Sequence, residues 1–189
     1  MTVPRSITDE LAPQLLEEIA CNGPMQLDAF MQASAVHYYG AGNRIGASGD
    51  FTTAPEISQL FGEMIAAFLT YLASIAEAYD KAFLFEAGPG RGTLISDMKR
   101  SFAAINSQLN HADIILLEKS PVFRTLISER TATPVSFIGE IDALPHRPLF
   151  GVANEFFDAL GTRQLIFDGT DWCWHLIDKV AKPQKTATP

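Results

Sequence analysis

The residues best placed to do chemistry lie in Glu86-Ala87-Gly88-Pro89-Gly90-Arg91-Gly92, between the apolar run Ala82-Phe83-Leu84-Phe85 and a helix-forming stretch from Thr93. Gly88, Gly90 and Gly92 let the backbone pass close to a ligand with no Cβ in the way. A dinucleotide fingerprint places its third glycine one residue later, with pyrophosphate on the helix N-terminus; here Thr93 holds that place. Glu86 points the same way, because a carboxylate repels a phosphate but pairs with an ammonium group such as that of a methionine moiety. The combination favours S-adenosylmethionine over NAD, and an NAD-dependent oxidoreductase is the weakest reading because no general acid accompanies the loop. Glu118 follows a second apolar run, Ile114 to Leu117. There a carboxylate can accept from both ribose hydroxyls, although its distance along the chain from Glu86 exceeds the usual ~20 residues.

These groups need a scaffold that delivers them to one place. Ser6 to Ala20 carries Leu11, Leu15, Leu16 and Ile19 on one helical face, and Asn22-Gly23 supplies a left-handed stop. A second helix is expected over Met25 to Val36, followed by a glycine-rich connection with Gly40, Gly42, Gly46 and Gly49. Thr53-Ala54-Pro55-Glu56 reads as a capping box with proline in the first turn, opening a helix to about Ala78. Leu60, Phe61, Met64, Ile65, Phe68, Leu69, Leu72 and Ile75 then form a broad apolar stripe, expected to be core covering a sheet.

From Ala82 onward strands and helices alternate. Strands are expected at Ala82–Phe85, Ile114–Leu117, Val135–Ile138 and Leu149–Ala153, with helices over Thr93–Ile105 and from Ser120-Pro121 through Glu129. Such alternation predicts an α/β, Rossmann-like fold: a mostly parallel sheet with helices on both faces, preceded by an N-terminal helical segment. Ligands then bind beyond the carboxyl ends of the strands. Leu165-Ile166-Phe167 and Trp172 to Ile177 read as a hairpin around Asp168-Gly169. The expected organisation is a helical segment over 1–80 with its glycine-rich loop, a cofactor-binding domain over 81–178, and a disordered polar tail over 179–189.

Composition narrows the function classes. With 47% hydrophobic and 19% charged residues the chain reads as soluble and globular, and its net charge of −8 disfavours a nucleic-acid partner. The apolar run Met64 to Ala76 is too short to span a membrane. His37, His111, His146 and His175 lack metal-ligand spacing, and Cys21 and Cys173 have no close-spaced partner, so no metal is expected. Acidic residues near the N-terminus (Asp9, Glu10, Glu17, Glu18) suit neither a signal peptide nor a transit peptide, which predicts a cytoplasmic protein.

Gly49-Asp50-Phe51-Thr52-Thr53-Ala54-Pro55-Glu56-Ile57-Ser58-Gln59-Leu60-Phe61-Gly62-Glu63 resembles the signature of the MidA-type methyltransferase family. Glu86 to Leu94, Glu118-Lys119-Ser120-Pro121 and Asn154-Glu155-Phe156-Phe157-Asp158-Ala159-Leu160 are similar to its other motifs, and Asn22-Gly23-Pro24 with His37-Tyr38-Tyr39 resembles its N-terminal region. The resemblance spans most of the chain, from about Asn22 to Gln164. It departs at Gly161, where the family usually has proline, and at Thr53 or Ala54, where it usually has serine. The resemblance implies S-adenosylmethionine as cofactor and a protein substrate. A mitochondrial member methylates arginine on a subunit of respiratory complex I during assembly, so such a subunit or its bacterial counterpart is the implied partner. Members are about twice as long, which leaves the fold incomplete at its C-terminus and a catalytically silent binding module as the alternative reading.

Methyl transfer from a sulfonium asks mainly for an aimed lone pair, so positioning and electrostatics carry it. Asn154 and Glu155 leave the fourth strand where amine methyltransferases hold the target nitrogen. Carboxylates match the planar fork of arginine, and the available acids are Glu155 first, then Asp158 and Asp50. Glu155 and Asp158 also suit the first turn of a following helix. Asp50 suits either a turn or a lid over the cofactor. Phe156 and Phe157 suit adenine stacking, a channel wall or core.

Overall fold

The computed structural model describes residues 8–40, 53–76 and 81–178. Asp50, the glycine-rich connection and the tail over 179–189 lie outside the described residues. Contacts divide the chain into two compact units, one formed by Met1–Arg44 with Phe157–Pro189 and the other by Ile45–Phe156. This division differs from one at residue 80, because the segment after Phe157 closes onto the N-terminal helices rather than extending the sheet.

In the first unit, α1 (Thr8–Asn22) ends at Gly23, whose φ of +87° and N–H bond to Ile19 O make the left-handed stop. A two-residue strand, β1 (Met25–Gln26), precedes α2 (Leu27–Gly40), so Met25 leaves the helix expected to begin there. The reason lies far along the chain: β1 pairs antiparallel with Leu176–Ile177, in the register Met25↔Ile177 and Gln26↔Leu176. Arg163 Nε donates to Asp28 Oδ2 at 2.7 Å, and Gly161 packs so closely that a Cβ there would lie 2.8 Å from Asp28 O. Where the family usually carries proline, this chain thus uses the absence of a side chain to approach α2.

The second unit begins with α3 (Ala54–Ile57) and α4 (Gln59–Ile75), separated at Ser58, whose hydroxyl accepts from Leu60 N. The single helix expected from Thr53 is therefore two helices, and Thr53 caps the first without a side-chain bond. The sheet strands are β2 (Phe83–Ala87), β3 (Ile114–Leu117), β4 (Ser136–Ile138) and β5 (Leu149–Ala153). Between them run α5 (Thr93–Ala104) and α6 (Pro121–Arg130), the latter capped by Ser120 accepting from Phe123 N. All pairings are parallel and the order is β4-β3-β2-β5. Consecutive strands step outward from β2 to β4, then β5 returns to the other side of β2. The carboxyl ends of β2 and β5 therefore flank the topological switch point, where open α/β sheets take their ligands.

One core unites the unit: Leu84, Ile114 and Leu116 from the sheet, Ala66, Leu69 and Ala73 from α4, Leu94, Ile95, Met98 and Phe102 from α5, and Ile127 from α6. Phe150 and Val152 pack against it, while the alternating Leu149, Gly151 and Ala153 are exposed. A Cβ on Gly62 would lie 2.6 Å from Asp97 Cβ, so α4 packs tightly on α5. Only half of the α4 stripe is core: Phe61, Ile65, Leu69 and Leu72 face inward, whereas Leu60, Met64, Phe68 and Ile75 are more than half exposed. The stripe is broader than the helical face that α5 can cover.

A hairpin follows the sheet in sequence. The strands β6 (Leu165–Phe167) and β7 (Trp172–Trp174) pair antiparallel, and Asp168 Oδ1 accepts from Thr170 N and Asp171 N around Gly169 at φ +101°. The run expected to continue to Ile177 breaks at His175, and β8 (Leu176–Ile177) is the partner of β1.

Candidate functional site

Strand β2 ends by delivering Glu86 and the three glycines to the switch point. Gly88, Gly90 and Gly92 have φ of +66°, +53° and +74°, the left-handed region that favours glycine. Two of them also need the missing side chain: a Cβ on Gly88 would meet Phe156 Cδ2 at 2.7 Å, and one on Gly92 would meet Ile127 Cγ1 at 2.9 Å. Gly88 N donates to Leu117 O, Gly92 N donates to Pro89 O at 2.8 Å, and Gly92 caps α5. The loop is thus a tight turn fixed to β3 at one end and to the first turn of a helix at the other.

Glu86 is 3% exposed, and among the described residues its Oε2 has no hydrogen-bond partner. The other interaction of the carboxyl is with Ile95 N–H in the first turn of α5. Burial pushes the group up to about 8, against the smaller opposing effect of the Ile95 hydrogen bond. A buried acceptor without a partner is costly in a native protein and marks a place where another group belongs.

Glu118 leaves β3 beside the loop. Its Oε1 accepts from Ser120 N at 2.7 Å, and its carboxyl also draws on the N–H groups of Lys119 and Gly90. Partial burial raises its pKa, and these hydrogen bonds together with the Arg124 charge oppose the rise. Arg124 Nε is itself anchored on Glu118 O at 2.7 Å. Glu118 and Gly90, 28 positions apart in the sequence, are thereby brought into contact.

From the other side of the switch point come Asn154, half-buried, and Glu155, exposed with a φ of +47°. Glutamate rarely adopts that conformation, and such strain gathers at functional sites. Phe156 follows and covers Gly88. Asp158 is exposed in a short 3-10 turn over Phe157–Ala159 and belongs to the unit of the N-terminal helices. The helix expected after Asn154 is only this turn.

Glu56 behaves differently from its expected role in a capping box. It is the acceptor for Thr93 Oγ1 at 2.5 Å, and Arg130 Nη1 donates to the same Thr93 hydroxyl at 2.6 Å. Nothing local could have shown this, because the T-x-x-E pattern already offers a partner three residues away. Among the described residues no cluster of His, Cys, Asp and Glu could hold a metal, and no helix is long and apolar enough to cross a membrane.

Residues 61–188 match a family model described as "Putative S-adenosyl-L-methionine-dependent methyltransferase". The chain belongs to this methyltransferase family. Among curated relatives, the mitochondrial protein arginine methyltransferase NDUFAF7 of Xenopus laevis is 31% identical over 92% of the chain and 46% of that protein. Its human counterpart is 30% identical over 90% of the chain and 45% of that protein. The chain spans about half the length of the curated relatives it matches. A crystal structure of a Burkholderia thailandensis protein bound to S-adenosyl-homocysteine superposes with a TM-score of 0.71 at 24% identity, over 100% of this chain and 54% of that one. A second structure from the same organism gives 0.69 at 25% identity over 99% and 51%. The S-adenosylmethionine-dependent methyltransferase fold of the family is therefore the fold of this chain.

Proposed function

We propose that the chain binds S-adenosylmethionine at the β2–β5 switch point and serves methyl transfer to arginine on a protein substrate, with a respiratory complex subunit or its bacterial counterpart as the partner. One observation carries the cofactor reading: the buried Oε2 of Glu86, unpartnered among the described residues, beside three left-handed glycines. An ammonium group satisfies that oxygen and stabilises the ionised carboxylate, whereas a phosphate would be repelled. Glu118 accepts from the ribose hydroxyls, with its remaining capacity oriented by Ser120 and Gly90. The names of the relatives support arginine as the acceptor.

When bound, the cofactor supplies an electrophilic methyl group on a sulfonium. The chain's own residues aim the nucleophile at it. Glu155 and Asn154 offer carboxylate and amide acceptors that hold the fork of an arginine guanidinium. Little else is required, because positioning supplies most of the rate in such a displacement.

Calorimetry with S-adenosylhomocysteine tests the cofactor site. Glu118→Ala is expected to weaken binding by roughly 10–100-fold, the loss of a charge-assisted hydrogen bond. Binding that survives Gly90→Val and Glu118→Ala together would remove the reading. Transfer of a labelled methyl group to an arginine-containing protein tests the second half. Cofactor binding without any transfer would favour a silent binding module instead.

A further inference from the structure

We infer that Glu56 is a positioning residue for the glycine loop, holding Thr93, and through it the backbone at the start of α5, in concert with Arg130. The consequence for affinity rests on the cofactor reading above; the consequence for the loop does not.

The Thr93 hydroxyl has one proton to donate and lone pairs to accept with. Its proton goes to Glu56 Oε1, and it accepts from Arg130 Nη1. The same guanidinium nitrogen reaches Arg91 O at 3.4 Å. Residues 91 and 93 flank Gly92, so α3, α5 and α6 converge on the peptide that closes the loop. A carboxylate on one side and a guanidinium on the other polarise the hydroxyl between them and strengthen both bonds.

The loop needs such a hold. Glycine loses more conformational freedom on folding than any other residue, and three glycines within five positions make a turn with many competing paths. Phe156 and Ile127 restrict it by packing at Gly88 and Gly92. The Glu56–Thr93–Arg130 chain adds a directional restraint, and Pro55, buried beside Glu56, limits how far α3 can yield. Ordering the loop before a ligand arrives removes that entropic cost from binding.

Amide hydrogen exchange and S-adenosylhomocysteine affinity, measured on the wild type, Glu56→Ala and Glu56→Gln, test the inference. In Glu56→Ala the amides from Gly90 to Ser96 should exchange roughly tenfold faster while those of β3 stay unchanged, and Kd should rise roughly tenfold. Glu56→Gln keeps a carbonyl acceptor for Thr93 and should restore both. If Glu56→Ala does not fold, Thr93→Val carries the same comparison. Unchanged loop exchange, acceleration spread evenly over the unit, or a glutamine variant no better than alanine would overturn the inference. A wild type that fails to bind the ligand defeats the cofactor reading instead, and the exchange measurement still decides the role of Glu56.

Discussion

Phe156, the third residue beyond β5, lies against Gly88, the first beyond β2, with only 2.7 Å between its Cδ2 and the position of a Cβ on the glycine. The contact ties together the two strand ends that flank the switch point. Phe156 directly follows Glu155, so the contact sets the first residues beyond β5 against the glycine loop.

Gly88→Ala should therefore lower stability for two reasons. A side chain at φ +66° costs ~1–2 kcal/mol, and overpacking against Phe156 adds ~1–3 kcal/mol. Phe156→Ala in the same chain should recover the second part but not the first. Urea unfolding of the wild type, both single variants and the double variant measures this as a coupling energy. Strict additivity would show that the contact carries no energy.

Glu86 predicts an unusual pH dependence. Its carboxyl titrates at about 8 in the folded protein, against ~4.3 in an unfolded chain. Between those values the folded state holds a proton that the unfolded state has released, so stability falls as pH rises through the window, by up to ~1.4 kcal/mol per pH unit. Glu86→Gln should flatten the slope between pH 5 and 8 in denaturation experiments. A ligand that brings an ammonium to the carboxylate should release a proton on binding near pH 7, read by calorimetry in buffers of different ionisation enthalpy. An unchanged slope in the glutamine variant would refute the assignment.

Glu155 separates strain from function. At φ +47° glycine is the more comfortable residue, and the side chain is exposed, so Glu155→Gly should leave stability within ~1 kcal/mol of the wild type. Methyl transfer should nevertheless fall roughly 100-fold, the scale for loss of one directing group at a reacting centre. Full turnover with glycine present would take Glu155 out of the acceptor site.

Helix α4 offers a contrast within one element. Met64 is 64% exposed and Phe68 is 55%, so lysine at either position should change stability by less than ~0.5 kcal/mol. Leu69 is 5% exposed in the core, and Leu69→Ala should cost ~2–5 kcal/mol. Thermal melting of the three variants distinguishes the two faces.

Much of the local structure was legible before any fold was known. The strand Ile114–Leu117, the Ser120-Pro121 helix start, the Gly23 stop and the Asp168-Gly169 turn follow from period and turn chemistry, which act over a few residues. The glycine loop and Glu118 were readable for the same reason, because their place at strand ends is a property of the alternating pattern. The capping box at Thr53 and Glu56 was misleading: its local partners exist in the sequence, yet the carboxylate bonds to Thr93, 37 positions away.

The amino-acid order alone therefore determined which segments are strands and helices, where the loop falls and which family the motifs belong to, since each depends on neighbours in the chain. Only the tertiary structure decided which half of the α4 stripe is buried, and it alone joined Arg163 to Asp28 across 135 positions and left one oxygen of Glu86 without a partner among the described residues. Those outcomes depend on what other elements bring to a surface, and hydrophobic period carries no record of whether a covering element exists.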